Sequence, residues 1–251
     1  MIDYGLQGKV AMVTGGGGGI GRASALAFAR SGAAVLVSDV ADAAGEETVS
    51  LIAAQGGEAA YQRCDVSDPA QVNAMVDAAV VRFGRLDHAF NNAGINAITV
   101  DEYEDAAWAR AMSVNLTGVM YCMRAAAAVM LRQGGGAIVN TASINGVVGN
   151  PGQPAYTAAK HGVVGLTRHA ALKWAKDGIR VNAVCPGVID TPMSAQAAAD
   201  PQIRAMIESM TPMGRMGRAE EIAEAVVWLC SDAASFITGH PLLVDGGVTA
   251  S

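Results

Sequence analysis

The stretch Thr14-Gly15-Gly16-Gly17-Gly18-Gly19-Ile20-Gly21 lies between a short apolar run and a segment rich in Ala, Leu and Phe. The apolar run, residues 9–13, is typical of a buried strand, residues 22–31 favour a helix, and residues 34–39 form a second apolar run that ends in a carboxylate. Consecutive glycines also occur in flexible linkers. A linker, however, would not join a strand directly to a helix, so the pattern predicts a strand, a glycine turn, a helix and a second, parallel strand.

The same alternation of strand and helix patterns continues to the end of the chain. The further predicted strands are residues 59–64, 86–90, 137–140, 179–185 and 241–247, and the further predicted helices are residues 43–55, 69–83, 108–131, 155–175 and 220–230. The sequence therefore predicts one α/β domain over residues 1–251, a Rossmann-type doubly wound parallel sheet of about seven strands with helices on both faces. Residues 191–218, rich in Met, Ala, Pro and Gly, fit neither pattern.

Composition and charge argue against several classes of protein. Of the 251 residues, 51% are hydrophobic and 16% are charged, which argues against disorder. The net charge of −6 gives no electrostatic reason to expect nucleic acid or an anionic membrane as a partner. No apolar run reaches the length of a membrane span without a polar interruption, and residues 1–13 do not resemble a signal peptide. We therefore expect a cytoplasmic protein.

The cysteines and histidines lack the spacing of a metal site. The four cysteines, Cys64, Cys122, Cys185 and Cys230, are far apart, and no Cys-x-x-Cys pair is present. The four histidines are also scattered along the chain. We expect buried free thiols, no disulfide framework and no bound metal.

The glycine stretch has the spacing of a dinucleotide-binding loop. Glycines at such a turn let the backbone approach a pyrophosphate, and the N-terminus of the following helix favours its negative charge. Asp39 ends the second predicted strand, near the distance at which an acidic side chain meets the adenosine ribose. A carboxylate there accepts hydrogen bonds from the ribose hydroxyls of NAD and repels the 2′-phosphate of NADP. Because Gly18 and Val40 add no positive charge, and Arg22 is expected to point into the first helix, the sequence predicts NAD.

Asp65 follows the third predicted strand and permits two interpretations. Its carboxylate could cap the helix that begins near residue 69. Alternatively it contacts the adenine, because the carboxyl ends of parallel strands form the ligand-binding edge of such a sheet. We favour the adenine contact.

A second informative stretch runs from Asn140 to Lys160. Tyr156 and Lys160 lie four residues apart on the predicted helix 155–175, and so share one face. A phenol titrates near pH ~10, too high for a base at neutrality, and a neighbouring ammonium lowers that pKa. Such a tyrosine exchanges a proton with an alcohol or carbonyl oxygen, to which Ser143 can donate a second hydrogen bond. An isolated Tyr-x-x-x-Lys pair usually lies on a solvated helix face, so the interpretation depends on the rest of the chain.

Several motifs occur together in this chain. They are Thr14-Gly15-x-x-x-Gly19-x-Gly21, Asn91-Asn92-Ala93-Gly94, the pair Tyr156 and Lys160, and Pro186-Gly187-Val188-Ile189-Asp190-Thr191. With these motifs the chain resembles the classical short-chain dehydrogenase/reductase family over essentially its whole length. The nearly pure glycine loop departs from the family, most members of which carry Ala, Ser or a basic residue at one of the three variable positions.

The resemblance implies a catalytic tetrad of Asn115, Ser143, Tyr156 and Lys160. Ser143 would bind the substrate oxygen and Tyr156 would exchange the proton, so both are predicted substrate contacts. Lys160 would bind the nicotinamide ribose and depress the tyrosine pKa, and Asn115 would hold a helix irregularity whose carbonyl positions a water. With the residues inferred above, the predicted cofactor contacts are Gly15, Gly18, Gly19, Ile20, Gly21, Asp39, Asp65, Val66, Asn92, Ala93, Gly94, Tyr156, Lys160, Pro186, Gly187, Ile189 and Thr191.

These residues predict an NAD-dependent oxidoreductase that interconverts a small secondary alcohol and a ketone. One alternative is an NADPH-dependent 3-oxoacyl-carrier reductase, which needs basic residues near the adenosine ribose. The other is a non-catalytic dinucleotide-binding protein, which has no need of Ser143, Tyr156 and Lys160 together.

The predicted helices 108–131 and 155–175 carry many small residues and would leave broad apolar faces uncovered in a monomer. In the family such helices pair across a twofold axis, and the last strand makes a second contact. We therefore expect a homotetramer with D₂ symmetry.

Residues 191–217 contain a group of methionines: Met193, Met206, Met210, Met213 and Met216. Methionine fills irregular apolar space, and mobile segments over active sites act as gates. The segment is either a mobile lid over a bulky apolar substrate or an ordinary helical subdomain packed on the core.

Overall fold

Nine strands are present in the computed structural model, which describes residues 4–96 and 101–250. They are β1 (Val10–Thr14), β2 (Ala34–Asp39), β3 (Ala59–Arg63), β4 (His88–Asn91), β5 (Gly136–Thr141), β6 (Ile179–Pro186), β7 (Ile189–Asp190), β8 (Gly217–Arg218) and β9 (Pro241–Val244). Seven of them form one parallel sheet in the order β3-β2-β1-β4-β5-β6-β9, and β7 pairs with β8. The predicted parallel sheet is confirmed.

Helices cover both faces of this sheet. They are α1 (Gly19–Arg30), α2 (Asp42–Ala54), α3 (Pro69–Phe83), α4 (Asp105–Met112), α5 (Val119–Gln133), α6 (Pro154–Trp174), α7 (Pro192–Ala198), α8 (Pro201–Met210) and α9 (Ala219–Cys230). Successive side chains of a strand point to opposite faces. Accordingly Ala11 and Val13 of β1 join the core cluster of α1 and α9, whereas Val10 and Met12 join that of α3 and α5. The doubly wound architecture is confirmed.

The strand order reverses between β1 and β4, and this reversal decides where the site lies. At such a point the carboxyl ends of the strands leave a crevice in which ligands bind. The glycine loop follows β1 and residues 91–94 begin at the last residue of β4. Ser143 follows β5, and Gly187 follows β6. The fold therefore brings the separate motifs of the sequence to one edge of the sheet.

The structure corrects three of the predicted elements. The single helix predicted at 108–131 consists of α4, a π-helical turn at Ser113–Gly118, and α5. The last strand ends at Val244 rather than at residue 247, because the Asp245 carboxylate accepts from the Gly247 amide (2.9 Å) and closes a turn. The unassigned segment 191–218 folds into α7, α8 and β8. The other predicted elements lie within three residues of their observed bounds.

The continuous helical stretch Asp105–Gln133 is long and apolar enough, by length and composition alone, to cross a membrane. In the fold, 56% of its most apolar window is buried inside the protein. Its α5 part packs against α3, β4 and β5. A core helix has the same composition as a membrane span, so packing accounts for its apolar character.

His88 of β4 is a buried polar side chain within the core. Its ring stacks on that of Phe28 with 6.1 Å between centroids. Within the described part of the chain, neither ring nitrogen has a hydrogen-bond partner. Burial lowers the pKa of His88 from 6.5 to about 4, because charging the ring there would leave the cation unsolvated.

We expect His88→Phe to reduce the acid sensitivity of the fold. Between pH 6.5 and about 4 the unfolded chain binds a proton that the folded imidazole does not, so stability falls as the pH falls through that window. This difference in proton binding lowers the free energy of unfolding by about 2 kcal/mol between neutral pH and pH ~5. Urea unfolding at both pH values should show a smaller loss for the variant than for the wild type. The exposed His169→Gln should keep the wild-type difference, and an unchanged loss in His88→Phe would contradict the assignment.

Candidate active site

The glycine loop brings β1, α1 and β4 into close contact. A Cβ on Gly21 would lie 1.9 Å from the Gly15 carbonyl oxygen, so this turn of α1 accepts only glycine. Gly18 is the N-cap of α1, no side chain caps that end, and its first turn carries no acidic residue. Backbone amides at an uncapped helix N-terminus suit an anion, and the loop therefore fits the pyrophosphate of a dinucleotide.

Asp39 faces this loop from the end of β2. Its Oδ2 accepts from the Gly17 amide at 2.9 Å and its Oδ1 from the Ala41 amide at 3.0 Å. A Cβ on Gly17 would come within 2.9 Å of the same carboxylate, which explains glycine at this variable position. Arg22 does not point into the first helix as expected: its guanidinium donates to the Gly17 carbonyl at 2.6 Å and pairs with Glu47.

A network of buried and partly buried hydrogen bonds joins the glycine loop to Lys160. The Thr14 hydroxyl accepts from the amides of Asn92 (3.0 Å) and Ala93 (3.1 Å). The Asn92 side chain donates to the Thr14 carbonyl (3.1 Å) and accepts from the Thr141 hydroxyl (3.3 Å). The Lys160 ammonium donates to the Thr141 carbonyl at 2.7 Å. The network therefore positions Lys160 relative to the loop.

Asn115 lies fully buried within the π-helical turn. Its Oδ1 accepts from the Ile95 amide (2.8 Å) and its Nδ2 donates to the Ile95 carbonyl (3.0 Å), so both polar atoms are used. A Cβ on Gly94 would be 3.1 Å from Asn115 Oδ1 and 3.8 Å from Lys160 Nζ. The expected helix irregularity at Asn115 is present, and its side chain holds the segment after β4 against Lys160.

Ser143 and Tyr156 meet beside this segment. Ser143 caps a short 3₁₀ turn, and its Oγ accepts from the Asn145 amide at 3.2 Å. Burial raises the pKa of the half-buried Tyr156, and a hydrogen bond with Ser143 partly offsets the increase. The ammonium of Lys160 is 5.4 Å from the centroid of the tyrosine ring. The expected net lowering of the tyrosine pKa is therefore wrong for the protein on its own, because burial outweighs its neighbours.

Lys160 is 2% exposed at the base of this site. Burial lowers its pKa from 10.5 to about 8, since the ammonium is taken out of water. Its pKa therefore lies close to the working range of a proton-exchanging group.

Asp65 lies at the same edge but does not cap α3. Asp68 is the N-cap and accepts from the Ala70 amide at 2.8 Å. The Asp65 carboxylate instead accepts from the amide (2.9 Å) and hydroxyl (2.7 Å) of Ser67. Val66 is buried, and a Cβ on Gly118 would lie 2.8 Å from its methyl group. The adenine contact remains a prediction, and the capping alternative is excluded by Asp68.

The segment after β6 closes the site from the other side. The Gly187 amide donates to the Val244 carbonyl (3.1 Å), and Ile189 is buried. Thr191 forms a capping box with Ser194 at the start of α7. A Cβ on Gly19 would be 3.2 Å from Thr191, and one on Gly18 would be 3.9 Å from Pro192. The base of the predicted lid therefore touches the glycine loop.

Residues 15–249 match the family model described as enoyl-(acyl carrier protein) reductase. The chain belongs to the classical short-chain dehydrogenase/reductase family. Within it, a 2,5-dichloro-2,5-cyclohexadiene-1,4-diol dehydrogenase of Sphingobium indicum is 47% identical over 249 residues, covering 98% of each chain. A cyclohexanol dehydrogenase of Acinetobacter sp. is 45% identical over 244 residues, covering 96% of this chain and 95% of that one.

A solved structure of the same fold holds a cofactor. It is described as a candidate NAD(P)-dependent gluconate 5-dehydrogenase from Beutenbergia cavernae with NADP bound at low occupancy. It superposes with a TM-score of 0.94 at 38% identity and covers 100% of both chains. A member of this short-chain dehydrogenase/reductase family with the same fold therefore binds NADP.

The structure also places residues in this short-chain dehydrogenase site that the sequence analysis did not select. Thr14 and Thr141 link the loop to Lys160, and the Asn145 amide group donates to Gln153 Oε1 at 3.2 Å, between the Ser143 turn and α6. Thr14 lies within the glycine motif of the sequence analysis. Thr141, Asn145 and Gln153 belong to no motif, because their hydrogen-bond partners lie far away in the sequence or in loops.

A cavity of about 100 Å³ lies beside residues 211–217 and not over the predicted tetrad. Its lining includes apolar side chains, residues 244–246 and the ion pair of Arg215 with Glu221. It shares Gly187 and Ile189 with the predicted cofactor contacts but no residue of the tetrad. The cavity is therefore separate from the predicted catalytic residues.

Proposed function

We propose that this protein is an NAD-dependent dehydrogenase that interconverts a cyclic secondary alcohol and its ketone. The observation that carries the proposal is the convergence of Ser143, Tyr156 and Lys160 beside the segment held by Asn115. A protein that only bound a dinucleotide would not need a hydroxyl, a phenol and a buried ammonium around one point.

The relatives support a cyclic substrate. The two quoted above are named for the oxidation of cyclohexanol and of a chlorinated cyclohexadienediol. In this chain, α7 and α8, which follow the segment after β6 at the same edge of the sheet, carry exposed apolar side chains: Met193, Ile203, Met206 and Met210. Transfer of an apolar ring from water to such a surface is favourable, because it removes apolar area from water.

The chain's own residues supply binding and proton transfer. Ser143 Oγ donates a hydrogen bond to the substrate oxygen, and the Tyr156 hydroxyl exchanges a proton with that oxygen. The Lys160 ammonium, close to Gly94, is positioned to bind ribose hydroxyls and favours the phenolate by its charge. The nicotinamide, when bound, accepts or returns the hydride. Alcohol oxidation needs the phenolate and ketone reduction needs the phenol, so the two directions depend on pH with opposite sign.

A preference for NAD is supported by charges at the adenosine end of the site. Asp39 presents a carboxylate beside the glycine loop, and the partly buried Arg22 is paired with Glu47. Val40 is exposed and neutral, and Gly18 has no side chain. The same features argue against the NADPH-dependent 3-oxoacyl-carrier reductase, even though the family model takes its description from a carrier-linked reductase.

Tyr156→Phe should abolish turnover while leaving nucleotide binding intact, because the ring stays and the exchangeable proton is lost. We expect oxidation of cyclohexanol by NAD, followed by absorbance of the reduced cofactor, to fall ~10²–10⁴-fold. Tyr4→Phe, whose hydroxyl meets Glu224 at 3.3 Å, is the matched control and should keep full activity. Near-wild-type turnover by Tyr156→Phe would refute the mechanism. The substrate class has its own test: faster oxidation of open-chain 2-hexanol than of cyclohexanol by the wild type would refute it.

The unmodified protein should prefer NAD over NADP by at least ~100-fold in kcat/KM. The Asp39 carboxylate repels the 2′-phosphate of NADP, and each 1.4 kcal/mol of repulsion lowers kcat/KM tenfold. Asp39→Ala should reduce this ratio by weakening NAD and admitting NADP. The control Asp77→Ala removes an equal charge from an exposed position on α3 and should leave the ratio of NAD to NADP use unchanged. Equal use of both cofactors by the wild type would place the selectivity elsewhere.

We propose that residues 191–217 act as a mobile, apolar lid. Met193, Met206, Met210 and Met213 are each more than half exposed, whereas Met216 is buried and belongs to the core. Limited proteolysis should cut within this segment, and NAD with cyclohexanol should slow the cut. An equal rate with and without both ligands would favour the packed subdomain.

We also propose a cytoplasmic homotetramer with D₂ symmetry. All four cysteines are free and buried, as a reducing compartment allows. Leu172 on α6 is 85% exposed, Phe236 is fully exposed, and β9 forms an open edge of the sheet. Light scattering should give four times the chain mass, and Leu172→Glu should reduce it. A monomer mass at micromolar concentration would contradict the assembly.

A further inference from the structure

Arg63 brings a guanidinium to the edge of the sheet at which Asp39 lies. The two residues are register partners in the parallel pairing of β2 and β3, and such strands lie about 4.8 Å apart. Arg63 Nη1 donates at 2.5 Å to the carbonyl oxygen of Val40, the residue directly after Asp39. A positive charge therefore stands one residue from the carboxylate that we propose selects NAD.

Asp42 holds this guanidinium in place. Its Oδ2 accepts from Arg63 Nη1 at 3.2 Å and its Oδ1 accepts from the Tyr61 hydroxyl at 2.8 Å. The same hydroxyl is 2.8 Å from the main-chain oxygen of Asp39. The Tyr61 ring packs against Gly45, where a Cβ would come within 2.1 Å of it. Tyr61 thus fixes Asp42, and Asp42 fixes Arg63, with respect to the end of β2.

The ion pair itself is open to solvent and easily exchanged. The side chains of Arg63 and Asp42 are 57% and 54% exposed, and exposed pairs of this kind are weak. A guanidinium has five N–H donors. Within residues 4–96 and 101–250, Nη1 is the one nitrogen of Arg63 that donates a hydrogen bond. The protein therefore leaves the other donors of Arg63 unused, and Asp42 competes with an incoming anion through its charge and its contact with Nη1.

Arg22, the other cation at this corner, is bound much more firmly. Its Nε donates to the Thr48 hydroxyl at 3.0 Å, and its Nη2 donates to the carbonyl oxygens of Gly17 (2.6 Å) and Ala44 (3.2 Å). It also pairs with Glu47. Arg63 is therefore the cation that a single substitution can free.

We propose that Asp42 is a second determinant of cofactor selectivity, because it occupies a guanidinium that would otherwise bind the 2′-phosphate of NADP. The inference rests on the proposed preference for NAD. Asp39 acts by repelling the 2′-phosphate, and Asp42 acts by keeping Arg63 neutralised beside it. A phosphate offers a guanidinium the same fork geometry as a carboxylate, so Arg63 can exchange one for the other.

The test measures binding by calorimetry, without turnover. The ligands are 5′-ADP, which carries the free ribose hydroxyls, and 2′,5′-ADP, which carries the 2′-phosphate. The proteins are the wild type, Asp39→Ser, Asp39→Ser/Asp42→Asn, and the latter with Arg63→Gln added. Asparagine keeps an acceptor for the Tyr61 hydroxyl, and thermal melts of all four proteins check that the fold is retained. The control Asp39→Ser/Glu46→Gln removes an equal charge from an exposed residue of α2.

We expect Asp39→Ser/Asp42→Asn to bind 2′,5′-ADP at least ~10-fold more tightly than Asp39→Ser, because Arg63 gains a phosphate partner. The gain should shrink as salt is added, since the contact is exposed. Adding Arg63→Gln should abolish it, and the Glu46 control should not reproduce it. Affinity for 5′-ADP should change little across the Asp42 and Arg63 variants.

Three outcomes would overturn the proposal: no gain on Asp42→Asn, a gain that survives Arg63→Gln, or an equal gain from the Glu46 control. The last two would assign the effect to net charge and not to Arg63. The wild type reports on the proposed function separately. If it binds 2′,5′-ADP as tightly as 5′-ADP, the preference for NAD fails whatever the Arg63 variants do.

Discussion

The chain of hydrogen bonds from Thr14 through the partly buried Asn92 and through Thr141 to the buried Lys160 is the interaction on which the site depends. It connects β1, β4, β5 and α6, four elements that share no local sequence. A buried polar group that loses its partner costs about 1–3 kcal/mol, so each member keeps the others in place. The glycine loop and the helix that carries Tyr156 and Lys160 are therefore held in one arrangement.

Small residues make this arrangement possible. Gly21 lets α1 approach the loop backbone, and Gly118 lets the π-helical turn lie against Val66. Such close approach buries Asn115 and Lys160, and charges and hydrogen bonds interact more strongly in a buried environment than in water. The same burial has an electrostatic cost, since it lowers the pKa of Lys160 and raises that of Tyr156. Burial therefore disfavours the charged form of both groups, the ammonium of Lys160 and the phenolate of Tyr156.

Much of the fold and of the site could be predicted from the chain alone. Strand and helix periods and the glycine loop are local patterns, and they predicted the sheet and its helices. Two features depend on partners elsewhere in the fold. The π-helical turn at Asn115 was expected only from the family resemblance, and the side chain of Asn115 binds Ile95, 20 residues away. Arg22 was expected to point into the first helix, but it contacts Glu47 and Thr48 of α2. Neither partner is visible in a local pattern.

The sequence by itself determined the class of fold, the shared helix face of Tyr156 and Lys160 and the position of Asp39 at the end of the second strand, because each depends on short spacings that backbone geometry converts directly into neighbours. Tertiary structure alone decided the pKa of Tyr156, the role of Asp65 as a neighbour of Ser67, and the pairing of Arg63 with Asp42. Those properties depend on burial and on contacts between separate strands and helices. They arise only when the parallel ladder of β2 and β3 and the covering helices have assembled.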